Sequence, residues 1–185
     1  MLNKLFYKHY VFLDKINDLI RRNLLKFKNI SIIIDINQLD KKSLIDQNFI
    51  IDFAKKNRIP FFLKNNYQNC IKYGANGIFI DSFNKKIIKP SLLKKKFKII
   101  GSAHNQLEFE KKLHQNCEIL MLSPLFFNEK YSYNQILNTH KFRHISLNWK
   151  INLCALGGIN ANNLKKITLS KVKIIAFKKF ILSPK

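Results

Sequence analysis

Eight short apolar runs recur along the chain, each separated from the next by enough residues for a helix or a tight turn. They are YVFL (10–13), ISIIIDI (30–36), IPFFL (59–63), NGIFID (76–81), FKIIGS (97–102), EILMLS (118–123), INLCAL (151–156) and VKIIAF (172–177). Runs this short, rich in Ile, Val, Leu and Phe, read as strands covered on both faces. Pro60 falls near the start of its run, where a missing N–H is tolerated. The intervening segments have a different period. Ile16, Leu19, Ile20, Leu24 and Phe27 sit at helical spacing in KINDLIRRNLLKFK, and SLIDQNFIIDFAKKN (43–57) repeats that spacing, with Ser43 as cap and Asp46 three residues on. NYQNCIKYG ends a helix at Gly74, and NQLEFEKKLHQN (105–116) has Leu107 and Leu113 among its apolar positions. The stretch 132–145 is weakly helical, and NANNLKKITL supplies the last helix.

Strands that alternate with helices must pair in parallel through crossovers. Eight of them predict an α/β fold, a closed (β/α)8 TIM barrel over residues 1–185 as one domain, with a doubly wound open sheet as the alternative. Such barrels typically run to about 250 residues. Here the helix between the fourth and fifth strands is stunted, and the tail KKFILSPK has room for a turn or so. The expectation is a compact barrel with shortened helices and little or no eighth helix. The face left uncovered would suit a second copy, a homodimer.

Composition narrows the function classes. No run of 18 apolar residues lacks a charge, so no membrane span is expected, and the N-terminal stretch lacks the apolar core and small-residue cleavage site of a signal peptide. A cytoplasmic protein is the expectation. Cys70, Cys117 and Cys154 are isolated, which suggests neither a disulfide frame nor a zinc site. The formal net charge is +23, and this would draw polyanions to the surface. Yet only Arg21, Arg22, Arg58 and Arg143 are arginines, and the lysines are spread over the whole chain, densest at KPSLLKKKFK. Nucleic-acid readers lean on arginine for bidentate contacts, so a lysine-rich surface, not a nucleic-acid site, is the reading.

The seventh strand empties into Gly157 and Gly158 and then a helix with Leu164 and Ile167 on its apolar stripe and Asn160 or Asn162 as cap. Two bare glycines there allow a turn of positive φ. They also expose backbone N–H groups to an anion beside a helix N-terminus. In a barrel the loops after strands seven and eight often hold phosphate, and Lys178 and Lys179 follow strand eight at the same rim.

Several segments together resemble one family. GANGIFI, IIGSAHN, LSPLFFNEK and ALGGINANN occur in the order and spacing of the thiamine phosphate synthase and thiazole tautomerase superfamily, and YVFLDK and IPFFLKN fit the same frame. The resemblance runs from about residue 10 to 181. It implies a (β/α)8 barrel in thiamine biosynthesis, a transferase that joins hydroxymethylpyrimidine pyrophosphate to thiazole phosphate with Mg²⁺ and releases pyrophosphate. On the thiazole-phosphate side, Gly157 and Gly158 match the family glycines, and Lys130 matches the lysine of the loop after strand six. Asn128 stands where threonine is usual, and Ser102 and His104 match the G-x-S-x-H region. On the pyrophosphate side, Ile33, Asp35 and Asn37 replace a Gln-x-Arg-x-Lys pattern, Lys64 and Asn65 replace Asn-Asp, Asn84 replaces an aspartate and Phe79 a histidine. Both carboxylates expected to hold Mg²⁺ are therefore amides, at Asn65 and Asn84, and amides bind a hard cation more weakly. The tautomerase histidine falls where Pro124 stands, and proline transfers no proton.

The resemblance thus implies Lys130, Ser102 and His104 as catalytic residues, Gly157, Gly158, Lys178, Lys130 and Asn128 around a phosphate ester, and Lys64, Asn65, Asn84 and Asp35 on the pyrophosphate side. A phosphate-binding barrel without turnover and a lysine-rich polyanion binder are the alternatives. Other residues have plainer readings beside functional ones. His104 could cap the helix that follows. His140 and His144, spaced i, i+4, lack a third ligand and read with His9 and His114 as surface residues. Asp35 and Asp81 end strands at the mouth and either replace the lost Mg²⁺ ligands or pair with Lys64. Phe126 and Phe127 either stack on a heteroaromatic ring or pack the rim.

Overall fold

The computed structural model describes residues 8–35, 41–88, 97–129, 131–168, 170 and 172–178. The strands are β1 (Lys8–Leu13), β2 (Ile30–Ile34), β3 (Phe61–Lys64), β4 (Gly77–Ile80), β5 (Lys98–Ala103), β6 (Ile119–Leu122), β7 (Asn152–Leu156) and β8 (Ile174–Phe177). Each pairs in parallel with the next in sequence, and β8 pairs with β1, so the barrel is closed. Among the described residues six helices cover it: α1 (Asp18–Leu24), α2 (Lys41–Lys56), α3 (Tyr67–Tyr73), α4 (Gln106–His114), α5 (Asn138–Asn148) and α6 (Leu164–Thr168). A single 3-10 turn, Tyr133–Gln135, precedes α5. The open-sheet alternative is excluded by the β1–β8 pairing. The expectation about an eighth helix concerns residues 179–185, outside those described.

Asparagine sets three of the helix starts. The side chains of Asn17, Asn66 and Asn105 accept hydrogen bonds at 2.9 Å from the N–H groups of Ile20, Asn69 and Glu108. Each such cap contributes about 1 kcal/mol. Asn105, not His104, therefore caps α4. Gly74 ends α3 at φ +68, as its sequence position predicts. Ser43 lies inside α2, because that helix already begins at Lys41.

Period-two alternation divides the strand residues between two cores. Tyr10, Phe12, Ile33, Phe62, Phe79, Ile100, Met121, Cys154 and Ala176 fill the barrel interior. Tyr10–Phe62 and Phe12–Phe79 meet edge to face, with centroids 5.8 and 5.1 Å apart. Val11, Ile32, Leu63, Ile78, Leu120, Ala155 and Ile175 face the helices. The same alternation, carried one step further, puts Asp14, Asp35, Lys64, Asp81, Ser102, Ser123, Leu156 and Lys178 in the inward row at the C-terminal rim. This row is where the chemistry of such barrels gathers.

Two expectations about the helix layer are corrected. His9 is fully buried against the ring of Phe27, not a surface residue. β1 starts two residues before its apolar run, and the alternation turns position 9 toward α1. Of the two apolar positions read on α4, Leu107 is exposed while Leu113 packs against the core beside the buried Phe109 and Lys112. His114, His140 and His144 are exposed, as expected. No helix among the described residues is long and apolar enough to cross a membrane.

Candidate functional site

The C-terminal mouth is built in two halves. The first spans the ends of β2, β3 and β4. The Lys64 ammonium lies 2.8 Å from an Asp35 carboxylate oxygen and 3.8 Å from Asp81 Oδ2, all three side chains being about a quarter to a third exposed. Asn65 takes the left-handed conformation, φ +56, which asparagine tolerates better than most residues. Its Nδ2 donates to Asp81 Oδ2 at 2.7 Å, and its Oδ1 accepts from the Asp81 N–H at 3.0 Å and from Asn84 Nδ2 at 3.1 Å. The Asn84 N–H donates to Asp81 Oδ1 at 3.0 Å. Asp35, Lys64, Asn65, Asp81 and Asn84 thus form one connected network.

A residue that the sequence reading passed over holds this network from behind. Lys112, on α4, is fully buried and donates to the Asn84 carbonyl at 2.9 Å and to Gln115 Oε1 at 2.8 Å. Gln115 Nε2 donates to the carbonyls of Asn84 and Lys86. Burial lowers the pKa of the Lys112 ammonium below its ordinary value. Gly101 makes room for it. A Cβ there would lie 2.7 Å from Cys117 Sγ and 3.0 Å from Lys112 Cδ, so this glycine serves helix–strand packing.

The second half spans β5 to β8. His104 follows β5, and its Nδ1 lies 2.8 Å from the Ser123 carbonyl oxygen and 3.1 Å from the Ser123 hydroxyl. A carbonyl only accepts, so Nδ1 carries a proton and Nε2 is the ring nitrogen turned away from Ser123. The His104 N–H donates to Glu108 at 2.7 Å, and its ring packs beside Tyr131. Ser102 is buried in the inward row just below.

Gly157 and Gly158 leave β7 at φ +91 and +68 and press against the β6–α5 loop. A Cβ on Gly157 would lie 2.9 Å from Pro124 Cα, and one on Gly158 would lie 2.5 Å from the Phe126 oxygen and 2.6 Å from the Phe127 oxygen. The Gly157 carbonyl accepts from Phe126 N–H, and the Gly158 carbonyl from Asn163 Nδ2. The N–H groups of Gly158 and Ile159 donate to no acceptor among the described residues. The helix dipole contributes less than the sequence implied. α6 has only five residues, and Asn160 Oδ1 already takes the N–H groups of Asn162 and Asn163. An anion at this turn would meet glycine-turn amides, not a helix end.

Lys178 follows β8, more than half exposed, 3.6 Å from an Asp14 carboxylate oxygen. Asn128 lies in the β6–α5 loop, its carbonyl accepting from Tyr131 N–H. Phe127 is exposed and stacks on Tyr133, with centroids 4.8 Å apart and planes 18° from parallel. Lys130, Asn37 and Lys179 lie outside the described residues. Cys70, Cys117 and Cys154 are buried and unpaired. Burial pushes the thiols of Cys70 and Cys117 up to about 12 and raises Cys154 as well, so none is a nucleophile at neutral pH. A cleft of about 260 Å³ lined by Leu147, Ile151, Asn152 and Lys173 lies at the opposite end of the barrel from the mouth.

The residues present do not fit Mg²⁺. Asn65 Oδ1, the oxygen that could ligate it, already accepts two hydrogen bonds, and positions 65 and 84 bond directly to each other. The carboxylates of Asp35 and Asp81 face an ammonium. Among the described residues no three His, Cys, Asp or Glu side chains form a metal site.

A family model described as thiamine monophosphate synthase matches residues 18–181. No curated relative matches the chain. Among solved structures, the chain is similar to a thiamine phosphate pyrophosphorylase from Pyrococcus furiosus, at 19% identity and a TM-score of 0.75, covering 96% of this chain and 87% of that one. A thiamine phosphate pyrophosphorylase from Bacteroides thetaiotaomicron is 14% identical over 93% and 82%, with a TM-score of 0.62. The N-acetylmannosamine-6-phosphate 2-epimerase from Clostridium perfringens is 12% identical over 98% and 90%, with a TM-score of 0.64. At these identities the structural likeness concerns the fold.

Proposed function

The chain belongs to the thiamine monophosphate synthase family, and from that premise we propose that it couples hydroxymethylpyrimidine pyrophosphate with thiazole phosphate, binding the thiazole ester on the β7–β8 side of the mouth. The observation that carries this reading is the Gly157–Gly158 turn. The N–H groups of Gly158 and Ile159 have no acceptor among the described residues, and both follow directly from the end of β7 at the mouth. Amides and Lys178 would hold the phosphate dianion, with Asn128 of the β6–α5 loop as a further candidate and Lys130 a candidate on the sequence match alone. The bond from the pyrimidine methylene to pyrophosphate oxygen breaks with its electron pair leaving on pyrophosphate, and the thiazole nitrogen forms the new bond to that carbon. The protein's part is to hold both rings and to offset charge on the departing group. Ser102 and His104, on and just after β5, lie on the side of the second half that adjoins the first.

A second reading is binding of the thiazole ester without turnover, and one observation favours it: the β2–β4 half spends its polar groups on one another. Titration calorimetry with thiazole phosphate, paired with a thiamine phosphate formation assay, separates the two. Binding with product supports coupling, and binding without product supports the second reading. Absence of thiazole phosphate binding refutes both.

A further inference from the structure

We infer that Lys64 is a built-in cation that excludes the divalent ion, so that this mouth works without Mg²⁺. The inference deepens the reading above and rests on it for the identity of the reaction. The ion itself is tested separately.

The Lys64 ammonium sits between Asp35 and Asp81, carboxylates from the strand on either side of its own. The hard donors that this network offers a cation are these two carboxylates and the side-chain oxygens of Asn65 and Asn84, the last accepting from the Lys86 N–H at 2.8 Å. All are committed. Asp35 holds the ammonium at 2.8 Å, Asp81 takes the ammonium, the Asn65 amide and the Asn84 N–H, and Asn65 Oδ1 takes two donors. A divalent cation arriving here would have to displace a tethered ammonium that is part of the chain. It would also sit beside that positive charge in a partly buried setting where screening is weak. Removing the ammonium reverses this. Two carboxylates then face each other uncompensated, and like charges held together raise affinity for a cation.

The test is Mn²⁺ titration followed by water-proton relaxation, in the full chain. The wild type is expected to show no stoichiometric site. Lys64→Met is expected to bind Mn²⁺ at least about tenfold more tightly than wild type. The double variant Lys64→Met with Asp81→Asn is expected to lose that gain, and Lys64→Arg to behave as wild type. Circular dichroism checks each fold, and Lys64→Gln serves if the methionine variant does not fold. A stoichiometric Mn²⁺ site in the wild type overturns the inference, as does a folded Lys64 variant with no gain. Any wild-type turnover is expected to be unchanged by a chelator, and turnover that needs Mg²⁺ also overturns it. Thiazole phosphate binding measured in chelator reports on the proposed function alone, so the two can fail independently.

Discussion

Replacing Gly158 with alanine tests the turn on which the functional reading stands. The added Cβ meets two carbonyl oxygens, at 2.5 and 2.6 Å, where ordinary contact begins near 3.4 Å. Both belong to a backbone segment tied down by the Leu125 and Phe126 N–H bonds to β7 and the turn, so neither side yields cheaply. At φ +68 an L-residue costs about 1–2 kcal/mol, and forced overpacking costs about 1–3 more. The expected destabilisation is about 2–5 kcal/mol, and at about 2–4 °C per kcal/mol for a chain of this size the melting temperature should fall by roughly 4–20 °C. Gly74 supplies the control. It has the same φ of +68, yet a Cβ there meets nothing within 4 Å. Gly74→Ala should therefore show the conformational cost alone. Thermal melts by circular dichroism separate the two terms, and calorimetry with thiazole phosphate reads the site. Affinity is expected to fall at least about tenfold in Gly158→Ala and to be unchanged in Gly74→Ala. Equal melting temperatures would refute the close packing of the turn, and equal affinities would refute anion binding there.

Other outcomes follow from the same geometry. Lys112 is more easily deprotonated in the folded chain than unfolded, so between its folded pKa and the ordinary value near 10.5 the unfolded state binds more protons. Wild-type stability, measured by urea unfolding, should thus rise with pH across that window, relative to Lys112→Met. His104→Phe keeps an aromatic ring beside Tyr131 but strips the buried Ser123 carbonyl of its donor. It should cost about 1–3 kcal/mol, part of it recovered in His104→Asn. The native chain should resist thiol reagents at neutral pH until denaturant is added, and fast labelling of Cys70 or Cys117 under native conditions would contradict their burial. Gly101→Ala should destabilise by about 1–3 kcal/mol, because Cys117 and Lys112 occupy the space.

The barrel was legible because both periods survive in the sequence: doubly buried runs for strands, helical spacing between them. The Lys64 pairs with Asp35 and Asp81 were legible too, since strand ends at one rim must converge. What escaped notice was whatever depends on the angle between elements. Lys112 sits in EKKLHQNC beside another lysine and reads as solvated. Only the rotation of α4, with Phe109 inward and Leu107 outward, buries it. His9 escaped for a related reason, its strand beginning before the apolar run. Ser123 and Gln115 carry no local signal, because their roles are hydrogen bonds to residues 19 to 31 positions away.

The two halves of the mouth differ in how their polar groups are used, and that difference orients a ligand. From β2 to β4, donors and acceptors satisfy each other, and one ammonium between two carboxylates leaves that network with net negative formal charge. A phosphate approaching it would find the Lys64 ammonium already held by Asp35 and Asp81. From β7 to β8, the Gly158 and Ile159 amides have no acceptor among the described residues, and Lys178 is held by an exposed ion pair of the kind worth about 0–1 kcal/mol. An anion displaces such a pair at little cost. Under the proposed function the anionic end of the ligand would settle at Gly158, with the rest of it across the inward row toward His104 and Ser102. On this reasoning the formal charge of +23 raises the local concentration of anions around the chain, while the uneven use of hydrogen-bonding groups at one rim decides where an ester can settle.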